Sequence, residues 1–348
     1  MKQLYTPEKL AHDQEMINVF RQKQALPYAA KIQHAKQRAW EFYNECENVH
    51  VSVGGLDSIT LLLFLRSINI DCPAVSVSCL EEKSIQAIHR QLGVIPLKPI
   101  KSKVEVIREF GYPILSKETA NKIHLLQNPT DRNKTVRHAI ITGETGEYGG
   151  NRTGTRMKMS QKWLLKFGGA DAEGAALGYS AAPFKVSDKC CYYLKEKPCD
   201  LYAKENNSSP YLGLMASEHG RREKVLMTTG CNYYGKTHKR SAPFAIFSRD
   251  DLLHLAQDLN VPVPAIYGEI KIGEDGLRYT TGAQRTGCSM CGFGVHLEKR
   301  PHRFDQLRER NEKEWRFWMY DMGWGEVLDY CGIEWETPYQ SGGHDEAM

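Results

Sequence analysis

The stretch Val51-Ser52-Val53-Gly54-Gly55-Leu56-Asp57-Ser58 decides the reading of this chain. Before it, Asn48-Val49-His50-Val51-Ser52-Val53 alternates and is rich in β-branched residues, which predicts a strand. After it, Ile59-Thr60-Leu61-Leu62-Leu63-Phe64-Leu65 is apolar and helix-forming, and the helix continues to Arg66-Ser67. Strand, Gly-Gly, an acidic and a hydroxyl residue, then helix is the layout of a phosphate-binding turn. Two glycines let backbone approach a phosphate closely, and free amides at the helix start, with the helix dipole, favour an anion. Asp57 and Ser58 suit the N-cap, and Asp57 also suits Mg²⁺ or a ribose hydroxyl. A plain Gly-Gly turn capped by Asp57 explains the stretch equally well when it is taken alone.

Outward from this stretch, the pattern alternates. Cys72-Pro73-Ala74-Val75-Ser76-Val77-Ser78 predicts a strand, Ser84 to Leu92 a helix, Val94 to Ile100 an extended segment, and Val104 to Phe110 a short helix ended by Gly111. Strands alternating with helices predict an α/β fold with a parallel sheet covered on both faces. Ligands then sit beyond the carboxyl ends of the strands, where Gly54-Gly55 and Cys79-Leu80-Glu81 both fall. Glu81 is accordingly a ligand-contact candidate, although a surface Glu opening a helix needs no such role.

Residues 1–45 read as a helical N-terminal arm, with Tyr5-Thr6-Pro7-Glu8 as its start signal. Lys31, Lys36 and Arg38 are expected on its solvated face. Residues 46–140 hold the glycine turn. Residues 141–185 are an insertion rich in glycine and in Arg152, Arg156, Lys158, Lys162 and Lys166, with a helix expected only over Met157 to Phe167. It reads as a flexible loop, or as a basic arm that orders on an anionic partner such as nucleic acid. Residues 186–337 are rich in Cys, and 338–348 form a polar tail.

With 348 residues and 41% hydrophobic content, the chain can bury a real core, and its net charge of +4 is mildly basic. No apolar run reaches membrane-span length and no leader is expected, so the cytoplasm is the default. Ten cysteines in such a chain point to metal, redox chemistry or catalysis rather than to a disulfide framework.

Those cysteines fall in a pattern. Cys190-Cys191 is a vicinal pair, and Cys288-Ser289-Met290-Cys291 is a CxxC between glycines. Four thiolates suffice for one iron–sulfur cube or one Zn²⁺, and adjacent ligands suit the cube better. Cys231 is a replacement ligand for one of the pair. Cys46, Cys72, Cys79 and Cys199 are expected to be buried thiols. Cys331, in Tyr330-Cys331-Gly332-Ile333, reads either as a mobile nucleophile or as a residue packed with Val327 and Leu328. Arg221 and Arg222 could grip a phosphate or sulfate bidentately, with Glu218 orienting one of them. Arg285 stands just before the CxxC. His296 and Glu298 follow it, with packed or surface roles expected over acid–base ones.

In this order the pieces resemble the phosphoadenosine phosphosulfate reductase family of the adenine-nucleotide α-hydrolase (PP-loop) superfamily. The likeness covers roughly residues 45 to 335. It is carried by Gly54-Gly55-Leu56-Asp57-Ser58, Gly111 to Glu118, Lys189-Cys190-Cys191 with Lys197-Pro198, Ala216-Ser217-Glu218 with Arg222, Gly230-Cys231-Asn232, and Arg285 to Cys291 with Gly294 to Glu298. It implies a doubly wound, Rossmann-like parallel sheet that binds ATP or a sulfonucleotide (adenylylsulfate or its 3′-phosphorylated form) through Gly54, Gly55, Asp57, Ser58 and Glu81, with Mg²⁺. Lys117, Arg222 and Arg285 would neutralise the phosphate or sulfate. Cys190, Cys191, Cys288 and Cys291 match the ligands of a [4Fe-4S] cluster.

Two chemistries follow from the resemblance. In one, ATP is cleaved between its α- and β-phosphates to adenylate an acceptor, with Asp57 and Arg222 at the reacting phosphate, and sulfur is then delivered. In the other, Cys331 attacks a sulfonucleotide and releases sulfite, with a thioredoxin-like electron donor. A third reading, of another class, is a non-catalytic nucleotide-binding subunit of a nucleic-acid modification or defence module. The chain departs from the superfamily's Ser-Gly-Gly-x-Asp-Ser, often with Lys at x. Val53 and Leu56 replace the hydroxyl and the ammonium, and each lost charged contact is worth about 1.5–3 kcal/mol.

Overall fold

The computed structural model describes residues 7–144, 157–168, 182–218, 220–284 and 286–337; the side chains of Pro7 and Arg221 lie outside the description. Most of the insertion, the C-terminal tail, His219 and Arg285 therefore also lie outside it. Ten strands follow in chain order: β1 (Asn48–Ser52), β2 (Ala74–Ser76), β3 (Ile95–Pro96), β4 (Ile114–Leu115), β5 (Ser208–Leu212), β6 (Asn232–Tyr234), β7 (Lys239–Ser241), β8 (Ile270–Ile272), β9 (Arg278–Thr280) and β10 (Gly292–Phe293). The fold is mixed α/β with a mostly parallel central sheet.

The described residues divide into two compact units, and over them the chain passes from one to the other three times. Of the described residues, the sheet unit comprises those within 7–100 and 195–288, and the second unit those within 101–194 and 289–337. The sheet unit carries six strands in the order β3-β2-β1-β5-β7-β6. All neighbours are parallel except β6 and β7, which pair antiparallel. From β1 the order runs one way to β2 and the other way to β5. Beyond the ends of these two strands the backbones close in: a Cβ on Gly213, just after β5, would stand 2.9 Å from the Ser58 backbone.

The helix Leu56–Ser67 follows β1 as expected, and eight of its twelve residues are buried, so it is apolar nearly all round and runs through the core. Val51, Leu56, Ile59, Phe64, Phe244 and Phe247 belong to that core. The N-terminal segment forms two helices, Pro7–Gln24 and Tyr28–Glu45. The second buries Lys31, Ala35, Ala39 and Phe42, a stripe at helical spacing. It is thus part of the sheet unit's core rather than an appended arm. Lys31 corrects the expectation of a solvated face: it is 7% exposed and its Nζ pairs with Asp251 Oδ2 at 2.7 Å. The sequence pattern put a lysine on the apolar stripe, and a carboxylate 220 residues on takes its charge.

The second unit is largely helical. Its core holds Ile114, Phe167, Phe304, Trp315, Trp324 and Leu328. There β4 and β10 pair in parallel, Ile114 with Gly292. The helix expected over Val104 to Phe110 is present as Lys103–Phe110 and is capped by Ser102 and Glu105. The insertion's helix is shorter than expected, Gln161–Phe167.

Candidate functional site

The loop after β1 is built from its own polar groups. Ser58 Oγ accepts from the Gly54 amide at 2.7 Å and donates to the Gly55 carbonyl at 2.9 Å. The Gly54 carbonyl accepts from His89 Nε2 at 2.8 Å, so the neutral ring receives the Ser78 hydroxyl on Nδ1 at 2.9 Å. Burial lowers the His89 pKa, against the opposing pull of the Gly54 carbonyl and of Glu81, which keeps this ring neutral. The Leu56 amide, first in the helix, is taken by the Tyr267 hydroxyl at 3.2 Å, which also bonds Thr286 Oγ1 at 2.8 Å. That phenol oxygen explains the second glycine. A Cβ on Gly55 would lie 2.1 Å from it, although the Gly55 backbone itself (φ −78°, ψ −163°) suits any residue. Asp57 is ion-paired with Arg249, the first residue of the helix Arg249–Asp258.

Beside the loop opens a cleft of about 1140 Å³ within the sheet unit. Its floor is one face of the sheet, with His50 and Ser52 of β1 and Val75 of β2. Its walls are the helix Lys197–Glu205 and the β6–β7 hairpin. Gly54, Glu81, Lys195 and Arg222 line it as well. Glu81, 8% exposed, holds Lys195 through a 2.6 Å ion pair. Lys195 also hydrogen-bonds the Cys288 sulfur; burial would lower its pKa, but Cys288 and Glu81 raise it above the ordinary lysine value. Its ammonium is therefore a fixed positive charge on the cleft wall. His50 donates to or accepts from Ser208 Oγ at 2.8 Å, and burial drops its pKa to about 4.

The structure brings Gly54, Gly55, Asp57, Ser58 and Glu81 together in the sheet unit. Arg222 lines the same cleft, exposed, and Glu218 orients its guanidinium at 2.6 Å, as the sequence suggested. Lys117 opens the helix Lys117–Gln127 of the second unit, and Arg285 lies outside the described residues. Four residues of the site were missed in the sequence. Tyr267, Arg249 and His89 reach the loop, and Lys195 reaches Glu81, only through the fold, and none has a local signal beyond Ser248-Arg249-Asp250-Asp251 reading as a helix start.

The cysteines separate by unit. Cys288 belongs to the sheet unit, and Cys190, Cys191 and Cys291 belong to the second. Cys190 is buried; the other three are half-buried. In its own unit Cys291 meets Arg303, which donates to the Cys291 carbonyl at 3.1 Å and also bonds its side chain. Among the described residues, no three His, Cys, Asp or Glu side chains are placed to hold a metal ion. The donor chemistry nonetheless suits thiolate ligands, since each CxxC sulfur has a cation as neighbour.

Cys231 is enclosed in the sheet unit's core, and burial pushes its thiol up to about 11. Cys331 is 3% exposed in the second unit's core and is likewise pushed up to about 11 by burial, so this sulfur is a packed, protonated thiol. Of the thiols expected to be buried, Cys72 is, Cys46 and Cys199 are half-buried, and Cys79 is exposed because it sits on a 3₁₀ turn, Ser78–Leu80. Glu298 is ion-paired with Arg303, and His296 packs edge-on against Trp163 with centroids 6.1 Å apart. No protein-family model matches this sequence, and no curated protein matches it. Among the described residues, no helix is long and apolar enough to cross a membrane.

Proposed function

We propose that the chain is an adenine-nucleotide-binding enzyme of the phosphoadenosine phosphosulfate reductase type, acting in sulfur transfer by cleaving ATP between its α- and β-phosphates and adenylating an acceptor. The observation that carries this reading is the position of the Gly54-Gly55 loop. It lies at the carboxyl end of β1, where the strand order turns to β2 on one side and β5 on the other, and it opens on the cleft. In a doubly wound sheet, which we take this to be, that is where nucleotides bind. Glu81 and Lys195 supply paired charge at the mouth, and Arg222 a further cation. Asp57 would bring its carboxylate, now paired with Arg249, to Mg²⁺.

In this reading Cys190, Cys191, Cys288 and Cys291 would be the ligands of a cluster, which would supply sulfur or electron transfer chemistry when bound. The packed Cys331 supports the adenylating reaction over the sulfite-releasing one, which requires an accessible nucleophile. The test is an anaerobic turnover screen of ATP, adenylylsulfate and its 3′-phosphorylated form, with pyrophosphate and sulfite as readouts. Pyrophosphate release from ATP that survives Cys331→Ser supports the proposal. Sulfite release that disappears in the same variant refutes it.

A further inference from the structure

The cleft has a second cationic region, away from the glycine loop. Arg240, on β7, lines it. The register sets Tyr211 opposite Ser241, so Arg240 shares the sheet face of Pro210, another cleft residue. The Arg240 Nη2 donates to Thr229 Oγ1 at 3.0 Å, and the guanidinium lies 5.7 Å from the Tyr233 ring centroid. Its Nη1 is shielded from solvent and has no partner among the described residues. Nor does any described carboxylate pair with it. Of the cleft's four carboxylates, Glu81 is held by Lys195, Glu47 accepts from Asn207, and Asp200 interacts with Glu196 and His238; none forms an ion pair with Arg240. Burial pulls the Arg240 pKa below the ordinary arginine value, and only Tyr233 and Cys231 oppose that.

A guanidinium drawn out of water without a counter-ion is costly, and the usual remedy in proteins is an anion. Among the described residues no carboxylate forms an ion pair with Arg240. Lys236 and Lys239 flank Arg240 on the same hairpin and also line the cleft, whose lining includes Glu196 and Asp200 as well. We propose that Arg240 anchors a second oxyanion seat in this cleft, taking a phosphoryl or sulfuryl group bidentately when its guanidinium turns Nη1 from the wall toward the cleft. The planar fork of arginine matches such a group in a way that lysine does not. This inference is independent of the glycine-loop reading, because it needs only the cleft and the uncompensated charge. The oxyanion is either a free ion or the distal group of a ligand seated at the loop, and the probes below separate the two.

The experiment compares thermal unfolding of the full chain and of Arg240→Met and Ser58→Ala, in chloride buffer and at matched ionic strength with inorganic phosphate, inorganic sulfate or ADP. At an anion concentration near one hundred times Kd, the wild-type midpoint should rise by about 5 °C beyond any general salt effect. Arg240→Met should lose this rise and be at least as stable as wild type in chloride, because a buried charge without a partner has been removed. Ser58→Ala should keep the rise with phosphate and sulfate. If ADP gives the rise and the inorganic ions do not, the oxyanion belongs to a larger ligand, provided that Arg240→Met again abolishes it. A rise that persists in Arg240→Met, its absence with all three probes, or a lower midpoint for Arg240→Met in chloride overturns the proposal. So does a phosphate response lost in Ser58→Ala but kept in Arg240→Met. Failure of the nucleotide reading would show separately, as an Arg240-dependent response to inorganic anions with none added by ADP.

Discussion

Replacing Gly55 by alanine isolates one contact, that with Tyr267. The Gly55 backbone is extended, so alanine meets no conformational strain and on entropic grounds alone would stabilise by about 0.4–1 kcal/mol. Its methyl, however, would stand 2.1 Å from the Tyr267 hydroxyl oxygen, 3.0 Å from Thr286 Oγ1 and 3.4 Å from Tyr267 Cζ. Tyr267 is 3% exposed and has little room to withdraw. Overpacking of this kind costs about 1–3 kcal/mol. Displacing the phenol also breaks its bond to the Leu56 amide, worth about 0.5–1.5 kcal/mol. The net expectation for Gly55→Ala is a loss of roughly 1–3 kcal/mol. Tyr267→Phe by itself leaves the buried Leu56 amide unsatisfied, at a cost of about 1–3 kcal/mol. In the double variant the clashing oxygen is gone, the nearest ring atom lies at 3.4 Å, and Thr286 Oγ1 at 3.0 Å, released from its bond to the phenol, has only to shift by a few tenths of an ångström. Gly55→Ala should then cost nothing or stabilise slightly. Urea unfolding of the four proteins gives the coupling directly, and about 1.5–3 kcal/mol is expected. If alanine costs the same in both backgrounds to within about 0.5 kcal/mol, the two effects are independent and Tyr267 does not set the size of residue 55.

Other consequences concern charge. Lys31→Met strands Asp251 in the core and should cost about 3–5 kcal/mol in urea unfolding, well above a surface-pair loss. Burial tends to raise the Asp251 pKa, but bonds from Lys31 and Ser248 bring it below the ordinary value. Its contribution is therefore complete above the unfolded pKa and is lost as pH falls through the lower folded one; acid titration of stability should lose that component in Lys31→Met. His50 runs by the same sign from the other side: its folded pKa is about 4, against 6.5 unfolded, because burial disfavours the charged ring. The unfolded state takes the proton first, so stability should fall as pH drops from 6.5 toward 4, and His50→Gln should flatten that slope. Ser58→Ala frees the Gly54 amide but removes the hydroxyl that shapes the loop, and under the nucleotide reading calorimetry should show ADP binding weakened about tenfold.

What the sequence disclosed of this fold is what local pattern can disclose. The alternation in Asn48–Val53 and the apolar run from Ile59 predicted β1, the glycine loop and the buried helix, because period and turn chemistry are written in neighbouring residues. The same logic placed β2 and the short helix ended by Gly111. It could not divide the chain. The two units exchange the chain at residues 100/101, 194/195 and 288/289, and each is assembled from distant segments, so a linear partition of the sequence has no access to it. The charges around the loop were illegible for the same reason. Lys31 shares a helical stripe with Ala35, Ala39 and Phe42, which Lys36 does not, but the charge partner that lets it be buried there, Asp251, is placed by a helix 220 residues later.

That limit also bears on how the glycine loop should be understood. Read locally, Gly54 and Gly55 were two equivalent devices for bringing backbone to a phosphate. In the fold they differ. A Cβ on Gly54 would find only Glu81 at 3.8 Å and Ser58 at 3.9 Å, whereas one on Gly55 would collide with Tyr267. Gly54 therefore faces the side on which the cleft opens, with Glu81 and Lys195, and is the glycine whose smallness a ligand would use. Gly55 is small for the sake of Tyr267 and Thr286, one residue before Gly287-Cys288. The two adjacent glycines thus answer to different partners. Gly54→Ala should leave stability nearly unchanged while weakening ligand binding in the cleft, and Gly55→Ala should do the reverse unless Tyr267→Phe accompanies it. Measured as unfolding midpoints against ADP affinity for both variants, a pair that moves together would show that the loop acts as a single phosphate cradle and that this division of roles is wrong.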